Sequence, residues 1–152
     1  MAKAKKIKRR IGDVVAIKLE DGSFCFGVVL EEPLMAFYDY NSKELPELNA
    51  IVAKQVLFKV WVMNSAVESG RWEVIGSASL TPELAAIPKF FKQSPLNKKL
   101  TIYFKGEETP CTKDECQNLE RAAVWDPEHV EDRLRDYYAG VPNQWVESLK
   151  IQ

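Results

Sequence analysis

The chain opens with two apolar runs that flank an acidic turn. Residues 14–19 and 24–30 are mostly apolar, and Asp21-Gly22 lies between them. Asp-Gly is a strong hairpin-turn signal, because glycine accepts a positive φ without steric cost. The larger side chains of the second run fall at every other position (Phe24, Phe26, Val28 and Leu30). Period-two spacing places them on one side of a strand, so we predict a β-hairpin with one strongly apolar face.

The strand-like pattern continues to residue 106. Further strands are predicted at residues 34–40, 55–63, 71–80 and 99–106, with a bend at Gly76 in the third of these. A polar loop that runs into a short helix is predicted for residues 41–48. Three prolines, at positions 82, 88 and 95, interrupt the stretch before the last strand. This part of the chain is therefore predicted to be mainly β.

Helical signals dominate after residue 110. Thr112 and Glu115 match a capping box, which predicts a helix that runs to about residue 123. Asp126-Pro127 is typical of a second helix start, and Gly140 suits the position just after its end. Apolar residues recur between them at helical spacing (Val130, Leu134, Tyr137 and Tyr138). Residues 143–151 are predicted to add a last helical turn or two.

Strands come first and helices last, which indicates an α+β fold rather than a doubly wound sheet. We expect a bent antiparallel β-sheet or small β-barrel in the N-terminal part, with helices at the C-terminus. Residues 1–10 are predicted to form a flexible basic tail. Residues 11–152 are predicted to form a single domain, mainly β over 11–106 and mainly helical over 111–150.

Composition places the chain among soluble globular proteins, with 46% hydrophobic and 28% charged residues. No apolar run approaches the ~18 residues that a membrane-spanning helix needs. The basic start lacks the apolar region of a signal peptide, and three cysteines are an odd number for a disulfide framework. We therefore expect a cytoplasmic protein with no membrane contact.

The charge is unevenly distributed. Residues 1–10 hold six basic side chains and no acidic ones, which leaves 15 basic and 22 acidic side chains, a net charge of −7, in residues 11–152. A basic arm on an acidic body could bind nucleic acid. The arm has no aromatic residue and offers few phosphate contacts, so a solvated tail is the simpler interpretation.

The sequence offers little catalytic or metal-binding chemistry. His129 is the only histidine, and it falls on a polar predicted helix. Cys111, Cys116 and His129 resemble part of a zinc site, but no fourth cysteine or histidine is present. A disulfide between the two cysteines is disfavoured, because helical residues five apart exceed the Cα distance of ~7 Å that a disulfide allows. None of the common phosphate-binding, dinucleotide-binding or hydrolase motifs is present. We therefore predict no enzyme activity and no cofactor.

The second predicted helix carries a line of acidic residues. Glu128, Asp132 and Asp136 are spaced four apart and share one face, with Glu131 at its edge. One interpretation is a solvated face. The other is an acidic patch that meets a basic partner and raises the rate and specificity of association. A second candidate surface is the aromatic segment that contains Phe37, Tyr38 and Tyr40.

The order of motifs resembles the immunity protein 26 family of bacterial polymorphic-toxin and contact-dependent inhibition systems. The resemblance spans residues 11–105. It rests on the Gly-Asp start, the Asp-Gly turn, an aromatic-Gly strand, a Tyr-Asp pair and a later Phe-Lys-Gln run. The matching positions are Gly12, Asp13, Asp21, Gly22, Phe26, Gly27, Tyr38, Asp39, Trp72, Gly76, Pro88, Phe91, Lys92 and Gln93.

The resemblance implies a cytoplasmic, non-catalytic protein that neutralises a cognate toxin C-terminal domain by binding it. A nuclease toxin would suit the acidic body, because nucleases that bind phosphates are often basic. The matched positions are turns, glycines and aromatics, so the resemblance does not name the residues that contact the toxin. The alternatives are a small-barrel module that binds nucleic acid or a peptide, and an enzyme of unrecognised type. The acidic body argues against nucleic acid.

Overall fold

The computed structural model describes residues 6–152 and confirms the α+β fold. Within these residues, ten strands form two sheets and six helices surround them. The strands of each sheet run in open order from one edge to the other, so of the two predicted shapes the open sheet is the one observed.

The larger sheet contains every strand that the sequence predicted before residue 80. Its order is β10-β4-β3-β2-β1-β5. The predicted hairpin is present, with Val14 opposite Val28 and Gly22 at φ 85° in the turn. All neighbours are antiparallel except β10, which lies parallel to β4. The strands are β1 (Asp13–Lys18), β2 (Phe24–Val29), β3 (Leu34–Tyr38), β4 (Val56–Val62), β5 (Glu73–Ser77) and β10 (Val124–Trp125).

The smaller sheet has four strands, of which the sequence predicted one. Its order is β8-β7-β6-β9, and β9 lies parallel to β6. The strands are β6 (Phe90–Gln93), β7 (Leu100–Phe104), β8 (Glu107–Pro110) and β9 (Glu120–Arg121). The predicted strand at residues 99–106 corresponds to β7. The other three have two to four residues, too few to show a period.

The helices are short except for one. They are α1 (Leu48–Val52), α2 (Ser65–Glu68), α3 (Pro82–Ala85), α4 (Lys113–Cys116), α5 (Pro127–Ala139) and α6 (Gln144–Ser148). The α5 bounds agree with the prediction, and Asp126 Oδ1 accepts the cap hydrogen bond from the Glu128 N–H at 2.8 Å. The predicted capping box at Thr112 and Glu115 is also present. The predicted extension to about residue 123 is wrong, because Glu120 and Arg121 pair with β6 instead.

The structure corrects the expectation about the cysteines. Cys111 and Cys116 form a disulfide with their Cα atoms 6.9 Å apart. The prediction assumed that both residues lie in one helix. Cys111 instead precedes the helix cap at Thr112, and α4 is a single turn, so the two Cα atoms come just within reach.

Both faces of the larger sheet are buried, whereas the sequence predicted one strongly apolar face for the hairpin. On one face, side chains such as Val15, Ile17 and Phe37 pack under α2, α5 and α6. On the other, Phe26 and its neighbours pack against α1 and against Phe90 of the smaller sheet. Each hairpin strand therefore contributes to two cores.

The predicted flexible tail lies partly outside the described residues, which begin at residue 6. Within residues 6–10, the Ile7 N–H donates to Glu68 O at 3.0 Å, and Arg9 Nη2 donates to Leu34 O at 2.7 Å. Lys6 Nζ lies 3.3 Å from Glu68 Oε2. No helix among the described residues is long and apolar enough to cross a membrane.

Candidate interaction surface

The acidic face of α5 is positioned by the apolar face on the opposite side of the helix. Val130 and Leu134 are fully buried in the core under the larger sheet. This packing turns the line of acidic residues toward α6 and the loop before β5. The four predicted residues are brought together, but their exposure differs widely.

Glu131 is engaged inside the molecule. Its carboxylate accepts hydrogen bonds from Arg71 Nε at 2.7 Å and Arg71 Nη2 at 2.8 Å. It also accepts one from Trp72 Nε1 at 2.9 Å, and the Trp72 ring is buried. The hydrogen bond to Glu131 raises the pKa of Arg71. Glu131 therefore acts first as the anchor between α5 and the residues that precede β5.

Asp132 and Asp136 hold α6 against α5. Asp132 Oδ2 accepts from Trp145 Nε1 at 3.0 Å, and Asp136 Oδ2 accepts from Asn143 Nδ2 at 2.9 Å. Arg135 bridges both carboxylates, with each N···O distance 3.1 Å. Although burial acts in the opposite direction, hydrogen bonds from Asn143 and Arg135 lower the pKa of Asp136. These local partners therefore offset the repulsion between carboxylates spaced four residues apart on the helix.

Glu128 is the most accessible member of the line. Its side chain is 71% exposed, and Arg71 Nη1 is 3.9 Å away, at the limit of an ion pair. Beside it lies a cleft of about 260 Å³ that also contains Glu20 and Arg135. The cleft mixes both signs of charge, so the face is less acidic than its sequence indicates. The sequence missed Arg71 and Glu20 because they lie far from α5 along the chain.

The structure corrects the placement of the predicted aromatic segment. Phe37 is fully buried between Phe58 and Trp72, and Tyr38 is 2% exposed, so neither side chain is available to a partner. The prediction failed because β3 lies in the middle of a sheet that is covered on both faces. Tyr40 is half-buried, with its ring 5.5 Å from that of Phe26.

An aromatic cleft between the two sheets was not predicted. Trp61, Phe90 and Tyr103 meet there, with Trp61 centroids 4.6 Å from Phe90 and 5.5 Å from Tyr103. The cleft has a volume of about 550 Å³, and Glu31 and Lys105 also line it. It forms only when three distant segments pack together, so no local sequence signal could indicate it.

A further cleft of about 430 Å³ separates α6 from the smaller sheet. Phe91, Arg121 and Trp125 line it. Arg121 is engaged with backbone carbonyl groups, since its Nε donates to Leu149 O at 2.9 Å. The buried Trp125 Nε1 has no hydrogen-bond partner among the described residues.

The residues considered for catalysis or zinc binding are engaged in packing or in a disulfide. The His129 ring stacks on Trp145 with centroids 3.6 Å apart. Cys111 and Cys116 are bonded to each other. Within residues 6–152, no group of three or more histidine, cysteine, aspartate or glutamate side chains is arranged to hold a metal ion.

Two of the family-motif positions, Asp39 and Trp72, form hydrogen bonds with α5. Asp39 Oδ1 accepts a hydrogen bond from the Tyr138 hydroxyl at 3.0 Å, and Trp72 donates to Glu131. These contacts join the motif-bearing part of the chain to the C-terminal helices.

Comparison with known proteins gives one match. A family model described as Immunity protein 26 matches residues 10–101, which is more than half of the chain. The match confirms the resemblance seen in the sequence motifs. No curated protein and no solved structure matches the chain.

Proposed function

The chain belongs to the immunity protein 26 family, and from this membership we propose that it binds the C-terminal toxin domain of a bacterial polymorphic toxin stoichiometrically in the cytoplasm. The family match over residues 10–101 is the observation that carries the proposal. Neutralisation would follow from occupation of the toxin's surface, with no reaction catalysed by this chain.

A nuclease is the toxin class that we propose. A nuclease must bind phosphate groups with basic side chains, and an acidic protein surface can take the place of the nucleic acid. Residues 11–152 carry a net charge of −7, which supports a partner of opposite charge. Charge complementarity of this kind increases association rates and disfavours wrong partners.

The proposed contact surface is the acidic face of α5 with Tyr40 as a further candidate. Glu128 is its most accessible carboxylate, while Glu131, Asp132 and Asp136 remain partly exposed at its edge. The buried Phe37 and Tyr38 are removed from the proposal. Their role is to keep β3 in the sheet.

The experiment begins with a search for a polymorphic-toxin gene next to this chain's gene, and the C-terminal toxin domain that this gene encodes is purified. Titration calorimetry should give one-to-one binding, with a dissociation constant well below micromolar. Nuclease assays with the purified domain should lose activity in proportion to the added chain. A toxin domain from an unrelated system serves as the control and should not bind. Absence of binding to the adjacent-gene domain, together with continued killing of cells that co-express both proteins, would disprove the proposal.

A further inference from the structure

The aromatic cleft between the two sheets brings three rings together at steep angles. The Trp61 ring is inclined by 45° to the Phe90 ring and by 89° to the Tyr103 ring. Phe90 is buried, whereas Trp61 and Tyr103 are partly exposed. Trp61 and Tyr103 therefore offer ring surface to a group that enters the cleft.

Cations already lie over the neighbouring rings of the smaller sheet. A cation within about 6 Å of the centre of an aromatic ring is attracted by the ring, and tryptophan attracts it most strongly. Within residues 6–152, no lysine or arginine lies over the ring of Trp61. Trp61 is therefore free to receive a cation from outside. The pairs on the smaller sheet are Lys92 with Tyr103 at 4.6 Å, Arg121 with Phe91 at 4.8 Å and Lys105 with Phe104 at 5.2 Å.

The side of the cleft formed by the turn between β2 and β3 is acidic. Glu31 and Glu32 line it, and both are exposed. Glu32 accepts a hydrogen bond from Asn64 Nδ2, whereas Glu31 forms no ion pair within residues 6–152. Lys105 lines the side formed by the smaller sheet, but its ammonium group lies over the Phe104 ring. The uncommitted charge of the cleft is therefore the carboxylate of Glu31.

The aromatic cleft and the first turn of α5 lie at the same end of the larger sheet. Leu34, at the start of β3, is opposite Trp61, near the end of β4. Strand β10 runs parallel to β4, and α5 begins two residues after β10 ends. The first turn of α5 contains Glu128, the most accessible carboxylate of the acidic face. A partner that contacts Glu128 therefore approaches the end of the sheet where the cleft opens.

We propose that an arginine side chain of the toxin domain enters the aromatic cleft, stacks its guanidinium group on Trp61 and pairs with the carboxylate of Glu31. This inference rests on the proposed function and names the kind of toxin side chain that the chain recognises. A guanidinium group is planar and always charged, so it stacks on aromatic rings and pairs with carboxylates. A toxin domain that binds phosphate groups carries such side chains. Tryptophan and arginine are also enriched among the residues that dominate interface affinity.

The first test measures binding of the toxin domain from the adjacent gene to variants of the full chain at Trp61. Trp61→Leu should weaken affinity by about 3- to 30-fold, because it keeps an apolar side chain but removes the ring that attracts the cation. Trp61→Phe restores a ring and should recover part of the loss. Because Trp61 also packs on Phe90, urea denaturation of each variant establishes that folded protein is compared.

The second test concerns the carboxylate. Glu31→Gln should slow association and reduce its dependence on salt, because attraction to the guanidinium group is lost. The matched control is Glu44→Gln, at an exposed carboxylate in the loop after β3, and its effect should be smaller. Lys105→Ser should not weaken binding. Weaker binding in Lys105→Ser together with unchanged binding in Glu31→Gln would mean that an anionic group enters the cleft, and would overturn the inference.

The third test identifies the arginine. Each arginine of the toxin domain is replaced by glutamine in turn, and affinity is measured against the unmodified chain and the Trp61→Leu variant. For one arginine the two losses should not add, because both substitutions remove the same contact. The cycle is repeated with Glu31→Gln, which lies on the surface and leaves folding unaffected. Additive losses for every arginine in both cycles would show that no guanidinium group occupies the cleft.

The outcomes separate the inference from the proposed function. If the unmodified chain binds the toxin domain and the folded Trp61→Leu and Glu31→Gln variants bind equally well, the inference is wrong while the function stands. If the unmodified chain does not bind the adjacent-gene domain, both proposals fail.

Discussion

At the scale of single residues, several family-motif positions have packing roles. Gly27 shows this most directly, because a Cβ placed there would lie 3.1 Å from the Phe37 ring and 3.2 Å from Ala36 O. The close approach of β3 to β2 therefore requires a residue without a side chain at this position. Trp72 and Asp39 act at longer range, since each forms a hydrogen bond with α5.

The first prediction concerns Phe26. Its side chain is fully buried in the core between the larger sheet, α1 and the smaller sheet. Phe26→Ala should lower the free energy of unfolding by about 3–5 kcal/mol, because the substitution removes buried area and leaves a cavity. Urea denaturation measures this. Leu45→Ala is the exposed control and should change stability by less than ~0.5 kcal/mol. An unchanged midpoint for Phe26→Ala would contradict its core position.

The second prediction concerns the dependence of stability on pH. Burial raises the pKa of the Cys25 thiol from 9.0 to about 12, so the unfolded chain releases this proton at a lower pH than the folded protein. The free energy of unfolding should therefore be unaffected below pH 9.0 and fall as pH rises from 9.0 to about 12. The contribution of one thiol is at most ~1.4 kcal/mol per pH unit.

Denaturation at pH 8, 9.5 and 10.5 measures the slope of this change. Burial also raises the pKa of Tyr38 and Tyr138, so they add to the slope. Cys25→Ala should make the slope shallower by the share of the thiol. An identical slope in this variant would show that the folded state does not protect the thiol from ionisation.

At the scale of elements, α5 combines structural and exposed carboxylates on one face. Asp136→Ala should lower the free energy of unfolding by about 1–3 kcal/mol, because the buried Asn143 amide then loses its acceptor. Glu128→Ala, on the same face, should change it by less than ~0.5 kcal/mol. Thermal denaturation of the two variants tests the difference. Equal stability would mean that the contact between α5 and α6 does not depend on Asp136.

The same face yields a prediction about association. Substitution of Glu128→Gln, Asp132→Asn and Asp136→Asn together should slow toxin binding and flatten its salt dependence, if the face meets a basic partner. The triple variant should also be less stable, because Asp132 and Asp136 lose charged hydrogen bonds to Trp145 and Asn143. Stopped-flow binding at low salt measures the rate.

The control for this variant is Glu107→Gln with Glu108→Gln, at exposed acidic residues on β8. Its effect on the association rate should be smaller. If the triple variant and the control associate at the same rate as the unmodified chain, the acidic face is a solvated surface.

The sequence predicted elements whose signals are local. The Asp-Gly hairpin, β4 and the capped ends of α5 all depend on neighbouring residues, and all are confirmed. Strands β6, β8, β9 and β10 were missed because two to four residues acquire strand geometry only from a distant partner. Distance along the chain also explains what the sequence did not predict about the candidate surface. The spacing of the acidic residues predicted their shared face, but it did not predict that Arg71, sixty residues away, pairs with Glu131.

At the scale of the whole molecule, the larger sheet is covered by α2, α5 and α6 on one face and by α1 and the smaller sheet on the other. Residues 6–10, the first that the structure describes, also contact the rest of the domain. Deletion of residues 1–6 should change the melting temperature little, because the pair between exposed Lys6 and partly buried Glu68 contributes only ~0–1 kcal/mol.

Deletion of residues 1–10 should lower the melting temperature, since it also removes the hydrogen bonds from Ile7 and Arg9. Differential scanning calorimetry of the two truncated proteins makes the comparison. Equal melting temperatures in both would show that residues 7–10 contribute nothing to the fold.

The position of β9 and β10 late in the chain has a consequence for biosynthesis. Strand β9 pairs in parallel with β6, and β10 pairs in parallel with β4. Both strands complete sheets whose other members precede them in the chain, and α5, which follows, covers the core on one face of the larger sheet. The 38 residues from the end of the family-matched segment to the end of α5 (102–139) take about 2–8 s to translate at ~5–20 residues per second. Throughout that interval the nascent chain exposes the apolar side chains that α5 later covers. The core on this face of the larger sheet is therefore completed only after residues 127–139 have been translated.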